Sequence, residues 1–154
     1  MKVLIVKTSA LGDVVHALPV LTYLKSAQPD IRIDWLVEEA FAPLIADHPL
    51  LNRVIVLRTK SWRRSGFLPA AAGSWRVIRD LRRQGYDRVL DLQGNSKSGL
   101  FTRLAGACQR YGFHRAGVRE WPNLLATTHR VGLGDGDCHV SRRALAVARA
   151  AVPG

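Results

Sequence analysis

The run Val3-Leu4-Ile5-Val6 near the start of this 154-residue chain constrains its fold most. Four consecutive apolar residues without polar alternation describe a strand buried on both faces, as in parallel sheets covered by helices on either side. A small-residue turn follows, Thr8-Ser9-Ala10-Leu11-Gly12-Asp13, and then Val14, Ala17, Leu18, Leu21 and Leu24 recur at helical spacing. Pro19 lies inside that helix. It lacks an N–H and crowds the preceding turn, so it either kinks the helix or occupies its true first turn.

The pattern repeats along the chain. Residues 31–37, 54–57, 86–92 and 109–113 read as further strands. Helices are expected over 38–47, 74–84, 97–104 and 140–151, with Trp75, Ile78 and Leu81 as the apolar face of the second and Gly85 as its cap. Two acids open the 38–47 segment, which suits the positive end of a helix, although Pro43 lies within it. Residues 58–69 read as a basic loop, and 115–137 as a Gly-rich stretch with no readable period. Strands alternating with helices call for one α/β domain, a Rossmann-like doubly wound parallel sheet with helices on both faces. A chain of this size buries enough surface for one such core.

Composition narrows the partners. Lys and Arg number 23 against 12 Asp and Glu, a formal charge of +11 that attracts nucleic acid, phospholipid headgroups or phosphorylated small molecules. No motif of an RNA-binding sheet supports nucleic acid, although Trp62 and Trp75 sit among cations and could stack on a single strand. The uncharged stretch 14–24 is shorter than the roughly 20 apolar residues of a membrane span. The apolar run at the N-terminus is too short for an export signal, so a cytoplasmic location is expected. Cys108 and Cys138 read as two unconnected thiols, which fits a reducing compartment. His16, His48, His114, His129 and His139 show no ligand spacing and Cys-x-x-Cys is absent, so no metal is expected.

In doubly wound sheets ligands meet the carboxyl ends of the strands. Four polar segments fall there. The first is Thr8 to Asp13, where Asp13 is either a helix cap or a general base at a pocket floor. The lone Gly12 excludes a dinucleotide fingerprint, and no Walker loop follows. The second is Arg58-Thr59-Lys60-Ser61-Trp62-Arg63-Arg64, either a solvated loop or a clamp for phosphate or carboxylate. The third is Asp91-Leu92-Gln93-Gly94-Asn95-Ser96-Lys97-Ser98, either a polar rim or turn chemistry with helix capping, and the fourth is His114-Arg115 with Arg119-Glu120, either a polar rim or exposed charge.

These segments carry a family resemblance. The opening Lys2-Val-Leu-Ile-Val-Lys-Thr-Ser-Ala-Leu-Gly-Asp-Val-Val-His-Ala-Leu-Pro19 resembles the start of the ADP-heptose:lipopolysaccharide heptosyltransferases, type I. Val37-Glu-Glu-Ala-Phe-Ala42, Trp62-Arg63-Arg64, Asp91-Leu-Gln-Gly94 with Lys97-Ser98, Arg119-Glu120 and His139-Val-Ser-Arg142 follow in family order. The resemblance implies a GT-B architecture of two Rossmann-like domains facing a cleft. Residues 1–154 then correspond to a single N-terminal, acceptor-binding domain, and a C-terminal donor-binding domain is expected beyond them, so this segment alone should be inactive. The implied reaction transfers L-glycero-D-manno-heptose from ADP-heptose to Kdo of Kdo2-lipid A, with inversion and without metal or other cofactor.

By the same resemblance Asp13 is the catalytic base. Ser9, Lys60, Arg63, Arg64, Gln93, Asn95, Lys97 and Arg119 contact the acceptor, and Gly12 borders the donor. Ser61 stands where relatives tend to carry a basic residue, and Ala10 where they carry a serine, so no contact is carried over at either position. An acidic lipid acceptor also gives the positive charge a use, as attraction to the anionic cytoplasmic face of a Gram-negative inner membrane. The alternative is a non-catalytic anion- or nucleotide-binding module, in which Asp13 is buried as a cap with no basic pocket beside it.

Overall fold

The computed structural model describes residues 1–134 and 139–154; Cys138 lies outside the described residues. In chain order the elements are β1 (Lys2–Val6), α1 (Leu11–Ala17), α2 (Pro19–Ala27), β2 (Arg32–Glu38), β3 (Arg53–Leu57), α3 (Thr59–Ser65), α4 (Phe67–Gln84), β4 (Arg88–Asp91), α5 (Ser96–Leu104), β5 (Gln109–Phe113), β6 (His129–Val131) and α6 (Val140–Ala151). The strands form one parallel sheet in the order β3-β2-β1-β4-β5-β6. This is the Rossmann order, in which the chain reverses direction across the sheet between β1 and β4 and leaves a crevice at their carboxyl ends.

The pleat of β1 explains the layers. Val3 and Ile5 point to one face, where α1, α2 and α6 supply Val14, Leu21, Leu24 and Val147. Leu4 and Val6 point to the other, where α4 and α5 supply Ile78, Leu81 and Phe101. All four strand residues have no exposed surface, so the unbroken apolar run reports burial on both sides as expected. Pro19 starts a new helix: α1 ends at Ala17, and Pro19 occupies the first position of α2, where its missing N–H removes no bond.

Two expectations are corrected, and a stretch without a readable period gains its elements. Residues 38–47 are not a helix. Glu38 instead continues β2, paired in register with Leu57, and only a short 3-10 turn, Ala42–Leu44, forms around Pro43. The basic segment 58–69 is not a loop: α3 and the start of α4 lie there, joined at Gly66 with φ 104°. Charge hid the packing, because the Trp62 indole lies so close to Gly73 of α4 that a Cβ there would stand 2.4 Å from the ring. The stretch 115–137 contains a 3-10 turn at Trp121–Leu125 and the edge strand β6, whose His129 and Arg130 are exposed and give no apolar signal.

Asp91 locks the carboxyl end of β4. Its carboxylate is fully buried and accepts from the backbone N–H of Gln93 and Gly94, from the Ser98 and Thr102 hydroxyls, and from Asn123 Nδ2 at 2.7 Å. Burial pushes its proton affinity up against these donors. The loop after β4, the first turn of α5 and the 3-10 turn at 121–125 all hang on this one group. Asp91→Ala leaves five buried donors without their acceptor and should cost about 3–5 kcal/mol. Equilibrium denaturation measures this, and a change below about 1 kcal/mol would refute the locking role.

Candidate active site

The loops after β1 and β5 bring Asp13, Lys7 and Arg119 together, with the turn after β4 between them. Asp13 is the third residue of α1, whose N-cap is Ala10 with no side-chain cap bond. Its carboxylate therefore does not cap the helix. It accepts from Lys7 Nζ at 3.4 Å and pairs with the Arg119 guanidinium. The Asp13 side chain keeps 20% of its surface open, whereas Lys7 is only 2% exposed. Partial burial pushes the Asp13 carboxyl up, but the Lys7 charge and the Arg119 hydrogen bond and charge outweigh it and hold the group below the usual carboxylate value. Burial pulls the Lys7 ammonium down, and Asp13 opposes that pull.

The surrounding loops are built to hold this cluster. Trp35 Nε1 donates to the Lys7 carbonyl at 3.0 Å and fixes the end of β1. Gln93 is 2% exposed, and its Oε1 accepts from the backbone N–H of Thr8 and Ser9, tying the β1 turn to the β4 turn. Gly94, at φ 74°, accepts from Arg119 N–H at 2.9 Å. A side chain there would press on the Phe113 ring at 3.2 Å, so only glycine lets the two loops meet. Arg119 thus reaches Asp13 because its backbone is pinned to the neighbouring strand end.

A basic pocket opens beside the cluster, lined by Ser9, Arg58, Thr59, Lys60, Arg63 and Lys97 above Glu38 and Phe41. Glu38, at the end of β2, accepts from the Thr59 hydroxyl and pairs with Lys97, so one carboxylate anchors the starts of both α3 and α5. Arg64 is on α3 but not in this lining. Asn95 caps α5, its Oδ1 accepting from Ser98 N–H at 2.8 Å. Gly12 is exposed, and a Cβ there would meet nothing within 4 Å. Other arginines lie elsewhere: Arg76, Arg79, Arg82 and Arg83 run along α4, whose C-terminal end meets the amino end of the central strand β1, where Lys2 donates to the Gln84 carbonyl.

Of the residues singled out from sequence, Asp13 and Arg119 meet directly, while Ser9, Lys60, Arg63 and Lys97 share the adjoining pocket. Gln93 and Asn95 use their side chains to shape the loops. Sequence reasoning missed Lys7 and Glu38. Lys7 directly follows the apolar strand, and a cation there is a signal in itself, since a strand end in a parallel sheet is buried. Glu38 was masked by the expected helix. Among the described residues no group of three His, Cys, Asp or Glu side chains is placed to hold a metal, and no helix is long and apolar enough to cross a membrane.

Residues 74–151 match the sequence family described as glycosyltransferase family 9 (heptosyltransferase). The chain is 44% identical over 121 residues to lipopolysaccharide heptosyltransferase 1 of Pseudomonas aeruginosa, which covers 78% of this chain and 34% of that protein. It is 45% identical over 107 residues to lipopolysaccharide heptosyltransferase 1 of Escherichia coli K12, covering 68% and 34% respectively. The solved structure of E. coli heptosyltransferase WaaC with ADP superimposes with a TM-score of 0.88 at 34% identity, over 99% of this chain and 48% of that one. The chain spans about a third of the length of the curated relatives it matches. With the sheet order, the strand-end cluster and these matches in agreement, the chain belongs to glycosyltransferase family 9, the heptosyltransferases.

Proposed function

We propose that this chain is the acceptor-binding, N-terminal half of a GT-B transferase that moves L-glycero-D-manno-heptose from ADP-heptose to Kdo of Kdo2-lipid A in lipopolysaccharide inner-core synthesis. The observation that carries this reading is Asp13, uninvolved in capping and open to the crevice between two cations. A non-catalytic module would have Asp13 as a cap with no basic pocket beside it. The relatives' names and the solved complexes of the E. coli enzyme with ADP and with ADP-2-deoxy-2-fluoro heptose support the donor.

The chemistry follows from the cluster. A sugar hydroxyl is a weak nucleophile, so its proton must leave as its oxygen attacks. The acceptor oxygen bonds to the anomeric carbon of heptose from the face opposite the diphosphate, and the bond from that carbon to the ADP oxygen breaks, which inverts the centre. Asp13 takes the proton. Lys7 and Arg119 keep it ionised and ready, and an acidic acceptor that draws Arg119 away strengthens it as a base. Lys60, Arg63, Arg64 and Lys97 meet the acceptor's carboxylates and phosphates, with Ser9, Gln93 and Asn95 shaping the rim. Gly12 leaves open surface toward the donor, most of whose site belongs to the second domain. The reaction needs no metal in this reading.

The same basic rim holds the domain at the cytoplasmic face of the anionic inner membrane, as a peripheral protein without insertion. Nucleic acid is not a partner in this reading.

In the full-length enzyme, Asp13→Asn should lower kcat by about 10²–10⁴-fold while leaving acceptor KM nearly unchanged. Near-normal transfer by this variant would refute the base assignment. The same substitution removes the charge that keeps Lys7 protonated, so Lys7 should lose its proton at lower pH than in wild type. The Lys7 Cε chemical shift across a pH series follows this, and an unmoved titration would break the pair. Sedimentation with anionic vesicles should show binding that declines as salt rises toward about 1 M, where screening is nearly complete. Salt-independent binding would remove the electrostatic account.

A further inference from the structure

The two helices after β3 send their apolar side chains in two directions. On α3, Trp62 turns inward against Gly73 of α4. On α4, the buried residues are Ile78 and Leu81, both in its second half. The first half has no core to enter, yet it opens on Phe67 and Leu68, 85% and 77% exposed, and reaches Trp75, 55% exposed. Leu68, Ala72 and Trp75 recur at helical spacing on the face turned away from Ile78 and Leu81, and Arg76, Arg79 and Arg83 continue that face. We propose that the α3–α4 turn and this face of α4 form the docking surface for an anionic lipid bilayer, with the Phe67 and Leu68 side chains seated among the headgroups.

Charge selects the occupant. Residues 58–79 hold six Lys or Arg and no Asp or Glu. Arg58 pairs with Glu39, but among the described residues Lys60, Arg63, Arg64, Arg76 and Arg79 make no ion pair. The neighbouring carboxylates are engaged elsewhere, Glu38 with Lys97 and Asp80 with Arg53. A second copy of this chain would bring the same cations to the contact and be repelled. A bilayer offers phosphates to the cations and, directly beneath them, an apolar layer for two side chains. The stems of Arg63 and Arg64 can lie along that layer while their guanidinium groups stay with the phosphates.

Local structure holds the pair outward. Gly66, at φ 104°, breaks α3 from α4, and Pro69 fits the first turn of α4 because no N–H is needed there. Residues 63–69 are all exposed, so the turn protrudes, which suits a soft surface better than a rigid partner. α3 also starts at the carboxyl end of β3, and its Lys60 and Arg63 line the rim pocket. A bilayer at Phe67 therefore stands beside the opening that a lipid-borne sugar enters. The inference deepens the peripheral attachment proposed for this domain and rests on that reading. Two side-chain tips reach the headgroup layer and no segment inserts.

The test is sedimentation of the full-length protein with vesicles of phosphatidylethanolamine and phosphatidylglycerol, and with vesicles of phosphatidylcholine, neither containing acceptor. Wild type should bind the anionic vesicles and hardly bind the neutral ones. Phe67→Ser with Leu68→Ser should weaken anionic-vesicle binding at least about tenfold, with the salt slope unchanged because no charge is removed. Its melting temperature should match wild type, since both side chains are exposed. Arg76→Gln with Arg79→Gln should weaken binding about tenfold at low salt and flatten the slope. Phe67→Trp, which keeps an interfacial side chain, should bind like wild type. A double serine variant with wild-type affinity overturns the proposal and leaves the electrostatic attachment standing. Equal binding of wild type to both vesicles overturns the charge selection, and binding to neither removes the attachment and this surface together. A serine variant that loses self-association while its vesicle binding is unchanged gives the face to a second copy and overturns the proposal. Failure of the transfer reading looks different: vesicle binding depends on Phe67 and Leu68, yet no heptose moves to Kdo. With transfer intact, the serine variant should raise acceptor KM only for acceptor carried in vesicles, and not for acceptor stripped of its acyl chains.

Discussion

Burial of β1 on both faces is the constraint from which the rest follows. Val3 and Ile5 need one layer of helices, Leu4 and Val6 another, and a strand covered on both sides must sit in the middle of a parallel sheet. Each connection between strands, helical or not, returns the chain to the same end of the sheet, so all strands end at one rim. The polar residues that follow β1, β2, β4 and β5 are gathered there by topology alone. Lys7, Glu38, Gln93 and Arg119 come from four separate stretches of sequence and line one crevice region because the strands beside them are neighbours.

Two carboxylates at that rim have opposite electrostatic surroundings. Asp91 is sealed from water, and burial raises its proton affinity while neutral donors surround it. Asp13 is partly open, and two cations lower its proton affinity despite the cost of desolvation. The first arrangement makes a structural anchor, because its bonds run to loops and helix starts. The second leaves a charged group accessible from the crevice, its basicity set by whatever competes for Arg119. The division of labour comes from environment, since the two side chains are chemically identical.

The fold was largely legible because its signals are local and apolar. The runs at β1 and β2, the helical spacing of Val14, Leu21 and Leu24, and Gly85 after α4 each report on their own neighbourhood. What escaped notice had no such signal. Glu38 looks like a helix start until β3 pairs with it, and the cations of α3 conceal a helix held by Trp62 against Gly73. β6 is three residues long with two of them exposed, and only the edge of β5 makes it a strand.

The site divides the same way. From sequence alone, Asp13 is an acid at the start of a helix after a buried strand, and the chain after β3 is rich in cations. Residue type and periodicity determined that much, since hydrophobic pattern fixes which segments are inside and which ends carry polar groups. Tertiary structure decided that Ala10 and not Asp13 stands at the cap, that Lys7 turns inward to meet it, and that Arg119 arrives from 106 positions along the chain. It also decided that Arg143 of the last helix lies beside Lys7 and Arg119. Charge pairing depends on distance in space, and no local pattern encodes a distance that several strands and a crossover connection must first establish.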